Sequence, residues 1–126
     1  MRLFLLAAGG GAIGAGARYL VNVGCAQCFG LAFPWATFTV NMLGSFLMGV
    51  VLAGAMPLLG GSAEWRTFLA TGILGGFTTF SAFSADIWQL IERRQPVLAM
   101  VYIVGSVALS LAALVAGMAT VKASLK

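Results

Sequence analysis

The chain has 126 residues, of which 61% are hydrophobic and only 8% charged; the formal net charge is +4 and histidine is absent. Its mean hydropathy is +1.04. A soluble domain covers itself with about a quarter charged residues, so a soluble enzyme of ordinary design is excluded. A bilayer core takes about 20 apolar residues per helix, which leaves room for four spans and no catalytic domain outside them. The seven basic residues are scattered, and Arg93-Arg94 is the only basic pair. That is too little for a patch that tracks nucleic-acid phosphates.

The first apolar segment runs from about Leu3 to Val23. Arg18 is its only internal charge and stands near one end, where a long side chain reaches the interface. Gly10, Gly14 and Gly16 provide small residues that let two backbones approach. Arg2, the apolar Leu3–Ala8 stretch and Ala15-Gly16-Ala17 have the order of a signal peptide with its cleavage site. The glycines that stud the segment argue instead for a retained packing helix. Cys25 to Phe33 reads as a short loop. Its C-x-x-C, Cys25 and Cys28, has neither a second pair nor a histidine to complete a zinc site.

Pro34 and Trp35 open the second span, which runs to about Leu59 and ends in the Gly60-Gly61-Ser62 turn. The third extends from about Trp65 to Ile91, with an expected interruption at Gly75-Gly76. Glu92-Arg93-Arg94-Gln95 is the one polar run. Pro96 then opens the fourth span, to about Val121, and Lys122 and Lys126 close it. The expected fold is an all-α integral membrane four-helix bundle, one domain over 1–126, with spans at about 3–23, 34–59, 65–91 and 96–121 and a broken third helix.

Four spans place Arg2, Arg66, Lys122 and Lys126 on the side of the termini, and Arg18, Arg93 and Arg94 on the other. The positive-inside rule needs an asymmetry. Four charges against three is nearly none, so insertion in both orientations is expected. Two copies inserted oppositely can pair as an antiparallel dimer.

Polar groups within apolar spans are costly and mark function. Thr37, Asn41 and Ser45 recur every four residues in span two, and Tyr102, Ser106 and Ser110 do so in span four. A break in span three would free carbonyls that lipid cannot satisfy. Thr78, Thr79 and Ser81 stand beside it, and Phe80 and Phe83 are three apart. Uncharged donors with aromatic ring edges suit a pore for a small anion: both carry partial positive charge, and neither traps the ion as Lys or Arg would. The three acidic residues, Glu64, Asp86 and Glu92, are too widely spaced to pair, and none lies within span one.

Gly10–Tyr19 (GGAIGAGARY), Thr37–Gly49 (TFTVNMLGSFLMG) and Gly72–Phe83 (GILGGFTTFSAF) resemble the Fluc, or CrcB, family of bacterial fluoride channels. The resemblance implies a non-enzymatic, fluoride-selective channel of the bacterial inner membrane. It would act as an antiparallel dual-topology homodimer with two pores, letting fluoride leave the cytoplasm passively. It also implies roles. Asn41, Phe80 and Phe83 would line the pore, Thr79 and Ser81 would offer hydroxyls, and Tyr102, Ser106 and Ser110 would form a polar track. Arg18 would line a vestibule. Backbone carbonyls of Gly75 and Thr78, from both subunits, would hold a structural sodium ion. Asp86 departs from the Glu expected of many relatives. The alternatives are a small multidrug-type antiporter, which would need a carboxylate in span one, and a structural subunit of a larger complex.

Overall fold

A computed structural model describes residues 1–126. Four helices are long and apolar enough to cross a membrane: Arg2–Phe29 (α1), Trp35–Leu58 (α2), Ala63–Glu92, and Pro96–Ser124. The third is discontinuous. Residues 63–77 form α3, Phe80–Glu92 forms α4, and Pro96–Ser124 is therefore α5.

α1 packs mainly on α3, and α2 mainly on α5. Both pairs are backbone-to-backbone. A Cβ on Gly10 would come within 2.6 Å of the Phe68 carbonyl oxygen, and one on Gly14 would overlap the Ile73 carbonyl. Gly49 and Gly117 play the same part between α2 and α5, against the Leu114 and Phe46 carbonyls. Without a hydrophobic driving force between helices in lipid, such close approach is what supplies the van der Waals attraction. Gly16 meets nothing, so it is outside the packing face.

Three boundaries differ from the sequence reading. α1 continues through Cys25 and Cys28 to Phe29, because nothing before Gly30 breaks it; Gly30, at φ 74°, does. In α2 the turns at Val51–Ala55 widen to π-helix. Pro57 follows within one turn, where its missing N–H and its ring disrupt the ordinary hydrogen bond to the carbonyl four residues back. In the third span, Gly75 keeps helical dihedrals (φ −64°, ψ −37°). The backbone is extended instead at Thr78 (φ −79°, ψ 159°) and Thr79 (φ −153°, ψ 124°).

Only 16 of the 126 residues are buried. Large apolar side chains such as Val97, Val101, Val104 and Leu111 face outward along α5, as they do on a helix surrounded by lipid. The densest core lies at one end of the bundle, where Phe83, Leu90, Ala99 and Tyr102 cluster.

Candidate functional site

The discontinuity at Thr78–Thr79 is stabilised by α2. Asn41 pairs with the Thr79 peptide in both directions: its Nδ2 donates to the Thr79 carbonyl at 3.0 Å, and the Thr79 N–H donates to its Oδ1 at 2.8 Å. One amide side chain thus replaces two helical hydrogen bonds. Gly44, one turn along α2, makes room for the Thr78 methyl, which a Cβ at that position would overlap. The Thr78 hydroxyl turns back to the Leu74 carbonyl at 3.0 Å. Thr79 then caps α4, its hydroxyl accepting from the Ala82 N–H at 3.2 Å. The interruption therefore falls where Asn41 and Gly44 meet the third span, three residues beyond Gly75, and not at the adjacent glycines.

These side chains line a cavity of about 320 Å³ at the break, here the inner cavity, which is open at the surface of the single chain. Asn41, Thr79, Phe80, Phe83, Ser106 and Ser110 all contribute to its wall, as do Ser45 and Thr78. No lining residue is charged. The Phe80 and Phe83 rings are 5.7 Å apart and tilted by 47°. They differ in setting: Phe83 is buried, whereas Phe80 is 78% exposed, on the surface of the single chain. The Ser106 hydroxyl oxygen is buried and has no hydrogen-bond partner. An unmet buried hydroxyl is uncommon and calls for a ligand or a water.

A second, outer cavity of about 340 Å³ opens between the end of α1, the α1–α2 loop and α4. Thr37, Asp86, Gln89, Asn22 and Arg93 supply its polar wall. No residue lines both cavities. Tyr102 stands between them. Its ring lies 5.1 Å from Phe83 of the inner cavity and 5.5 Å from Phe33 of the outer. Its hydroxyl donates to Asp86 Oδ2 at 3.0 Å.

Six of the eight residues expected in the pore thus line one cavity, and Tyr102 packs behind Phe83. Ser81 is exposed, its hydroxyl 3.3 Å from that of Thr79. Arg18 is around neither cavity; the guanidinium at the outer one is that of Arg93, whose Nη1 donates to the Leu31 carbonyl at 3.1 Å. Phe33 and Arg93 were not singled out from sequence. Their contacts bridge residues far apart in the chain and leave no local spacing to read.

An all-helical bundle of four long apolar helices with an apolar outer surface is a multi-pass membrane protein. Its family is also defined: the profile described as "CrcB-like protein, Camphor Resistance (CrcB)" matches residues 5–118, and the chain belongs to that family. It is 49% identical over 123 residues to the Fluoride-specific ion channel FluC of Rhizobium meliloti, covering 98% of each chain. It is 56% identical over 113 residues to the protein of the same name from Cereibacter sphaeroides, covering 90% of this chain and 89% of that one. A third, from Rhodospirillum centenum, is 46% identical over 122 residues and 97% of each chain.

Proposed function

We propose that this protein is a passive, fluoride-selective channel of the bacterial inner membrane, through which fluoride leaves the cytoplasm down its electrochemical gradient. The observation that carries the reading is a cavity without a formal charge, lined by Asn41, Thr79, Phe80, Phe83, Ser106 and Ser110, with the buried Ser106 hydroxyl beside it unpartnered. Fluoride is small and strongly hydrated, so it enters only where donors replace its water. Ser106, Ser110 and Thr79 supply hydroxyls, and Asn41 retains one amide hydrogen beyond that given to Thr79. Phe80 and Phe83 would add the partial positive charge of their ring edges. With no cation in the wall, the ion is bound weakly enough to leave. The family membership and the names of the relatives support the same reading.

The functional unit is an antiparallel, dual-topology homodimer with two pores. The four-against-three distribution of basic residues supports it, as does Phe80, a pore residue left on the surface of one chain. Such a dimer would hold a sodium ion at its centre, and the donor set fits. An unbroken helix would send the Thr79 N–H to the Gly75 carbonyl and the Ala82 N–H to the Thr78 carbonyl. These donors go instead to Asn41 and to the Thr79 hydroxyl. The Gly75 and Thr78 carbonyls are thereby released, and neutral carbonyl oxygens suit a hard monovalent cation. The ion would neutralise this polar centre and fix the two breaks against each other. A map showing an ion with only oxygen ligands on the two-fold axis is the expected result; water or nothing there would remove it.

An antiporter is the competing reading, and no observation favours it: α1 contains no carboxylate, and the inner cavity none. Fluoride efflux from proteoliposomes with no proton gradient tests the channel reading.

A further inference from the structure

Between the two cavities stands Tyr102, which is only 1% exposed and lines neither of them. Phe83 packs on it from α4, Asp86 accepts its hydroxyl hydrogen, Thr37 of α2 hydrogen-bonds to the same hydroxyl, and Phe33 packs on it edge-on, with the rings at 85°. Phe83 and Asp86 belong to a membrane-spanning helix. Phe33 belongs to the α1–α2 loop, so it is the one restraint that the transmembrane helices do not themselves provide.

That loop is held in turn. Trp35 packs on Phe33 at 4.6 Å with the rings tilted by 55°, and Phe38 meets it at 6.1 Å. Across the outer cavity, Arg93 donates to the Leu31 carbonyl two residues before Phe33. Arg93 follows directly on α4, the helix that also carries Phe83 and Asp86. The loop and the helix are therefore clamped on either side of the same tyrosine.

We propose that Phe33 is a specificity-determining positioning residue: its ring, on a loop pinned by Arg93, holds Tyr102 across the passage between the outer and inner cavities and thereby keeps larger anions out. The proposal rests on the fluoride-channel reading. Fluoride, the smallest halide, would pass the edge of the held ring using the hydroxyls of Ser106 and Ser110, while that of Tyr102 stays on Asp86. Chloride is larger and less strongly hydrated, and it passes only if the ring swings aside. Phe33 touches Tyr102 and not the ion, so it acts through another residue.

The test measures fluoride and chloride efflux in parallel from liposomes carrying the full-length protein. Phe33→Leu removes the edge-on ring, Phe33→Tyr keeps it, and Arg93→Gln releases the Leu31 carbonyl. The expected result for Phe33→Leu is a rise in chloride efflux of about tenfold over wild type, the scale at which loosened apolar packing loses discrimination. Fluoride efflux should change far less. Phe33→Tyr should exclude chloride as wild type does. Arg93→Gln should leak chloride more weakly, and the double variant no more than Phe33→Leu alone. Chloride exclusion unchanged in both Phe33→Leu and Arg93→Gln would overturn the proposal. So would a fall of both fluxes together with the folded fraction, at a constant ratio, because that is simple loss of packing. A salt-screened loss of fluoride flux in Arg93→Gln without a chloride leak would overturn it too, making Arg93 an electrostatic collector. Wild-type liposomes that pass no fluoride would instead reject the channel reading itself, and the proposal with it.

Discussion

Replacing Ser106 with Ala should make the protein more stable and a poorer channel. The hydroxyl oxygen is buried, the residue is 5% exposed, and no partner satisfies it. Leaving a buried polar group unmet costs about 1–3 kcal/mol in a soluble protein. Polar contacts between membrane helices average lower, about 0.6 kcal/mol. Ala also has the better helix propensity, by about half a kcal/mol. Since the methylene remains, no cavity larger than one oxygen is created, and a net stabilisation of about 1 kcal/mol follows. The flux should move the other way. A hydrogen bond to a charged group is worth about 1.5–3 kcal/mol, so losing one to the ion should slow fluoride efflux by about tenfold or more. Stability is read by reversible unfolding in mixed micelles, and flux by initial efflux rate from liposomes. A less stable Ser106→Ala with wild-type flux would refute the reasoning, because the hydroxyl would then be a structural bond and not a vacant ligand.

Asn41→Ala should destabilise by about 2–4 kcal/mol, since it strands both the N–H and the carbonyl of Thr79; a change below about 0.5 kcal/mol in the same unfolding assay would mean that the break holds itself. Phe80→Met and Phe83→Met conserve bulk without the aromatic quadrupole, so each should abolish fluoride efflux while the size-exclusion profile stays that of wild type. If one variant conducts, that position only fills space. Reporter fusions at the C-terminus should give signal on both sides of the membrane, and adding two or three lysines there should drive one orientation; a wild-type terminus found on one side only would end the dual-topology proposal.

The transmembrane helices were legible because lipid imposes one rule on every span, and Pro34, Pro96, Gly60 and Gly61 mark the ends clearly. The packing glycines Gly10 and Gly14 were legible for a similar reason: spacing of four on a helix is a face. The position of the break was not. Adjacent glycines weaken a helix, but Gly75 stays helical, and the chain opens where Asn41, 38 residues earlier, offers a donor and an acceptor to Thr79. Side-chain competition of that kind depends on tertiary placement. The polar stripes of spans two and four were readable one by one; that Asn41, Ser45, Ser106 and Ser110 meet at one cavity while Thr37 lines the other required the fold. The vestibule role of Arg18 came from the family resemblance alone, whereas the place of Arg93 at the outer cavity comes from a contact spanning 62 residues that no local pattern shows. Phe33 was hidden in the same way, as an apolar residue in a segment read as plain loop.

An uncharged cavity of hydroxyl, amide and aromatic groups should pass fluoride without coupling to another ion. Purified wild-type protein in liposomes loaded with fluoride, with valinomycin to carry balancing potassium, tests it most directly. Rapid fluoride release is expected with equal pH on both sides, while chloride loaded in the same way stays inside. Fluoride retained, or released only when a proton gradient is imposed, would contradict it.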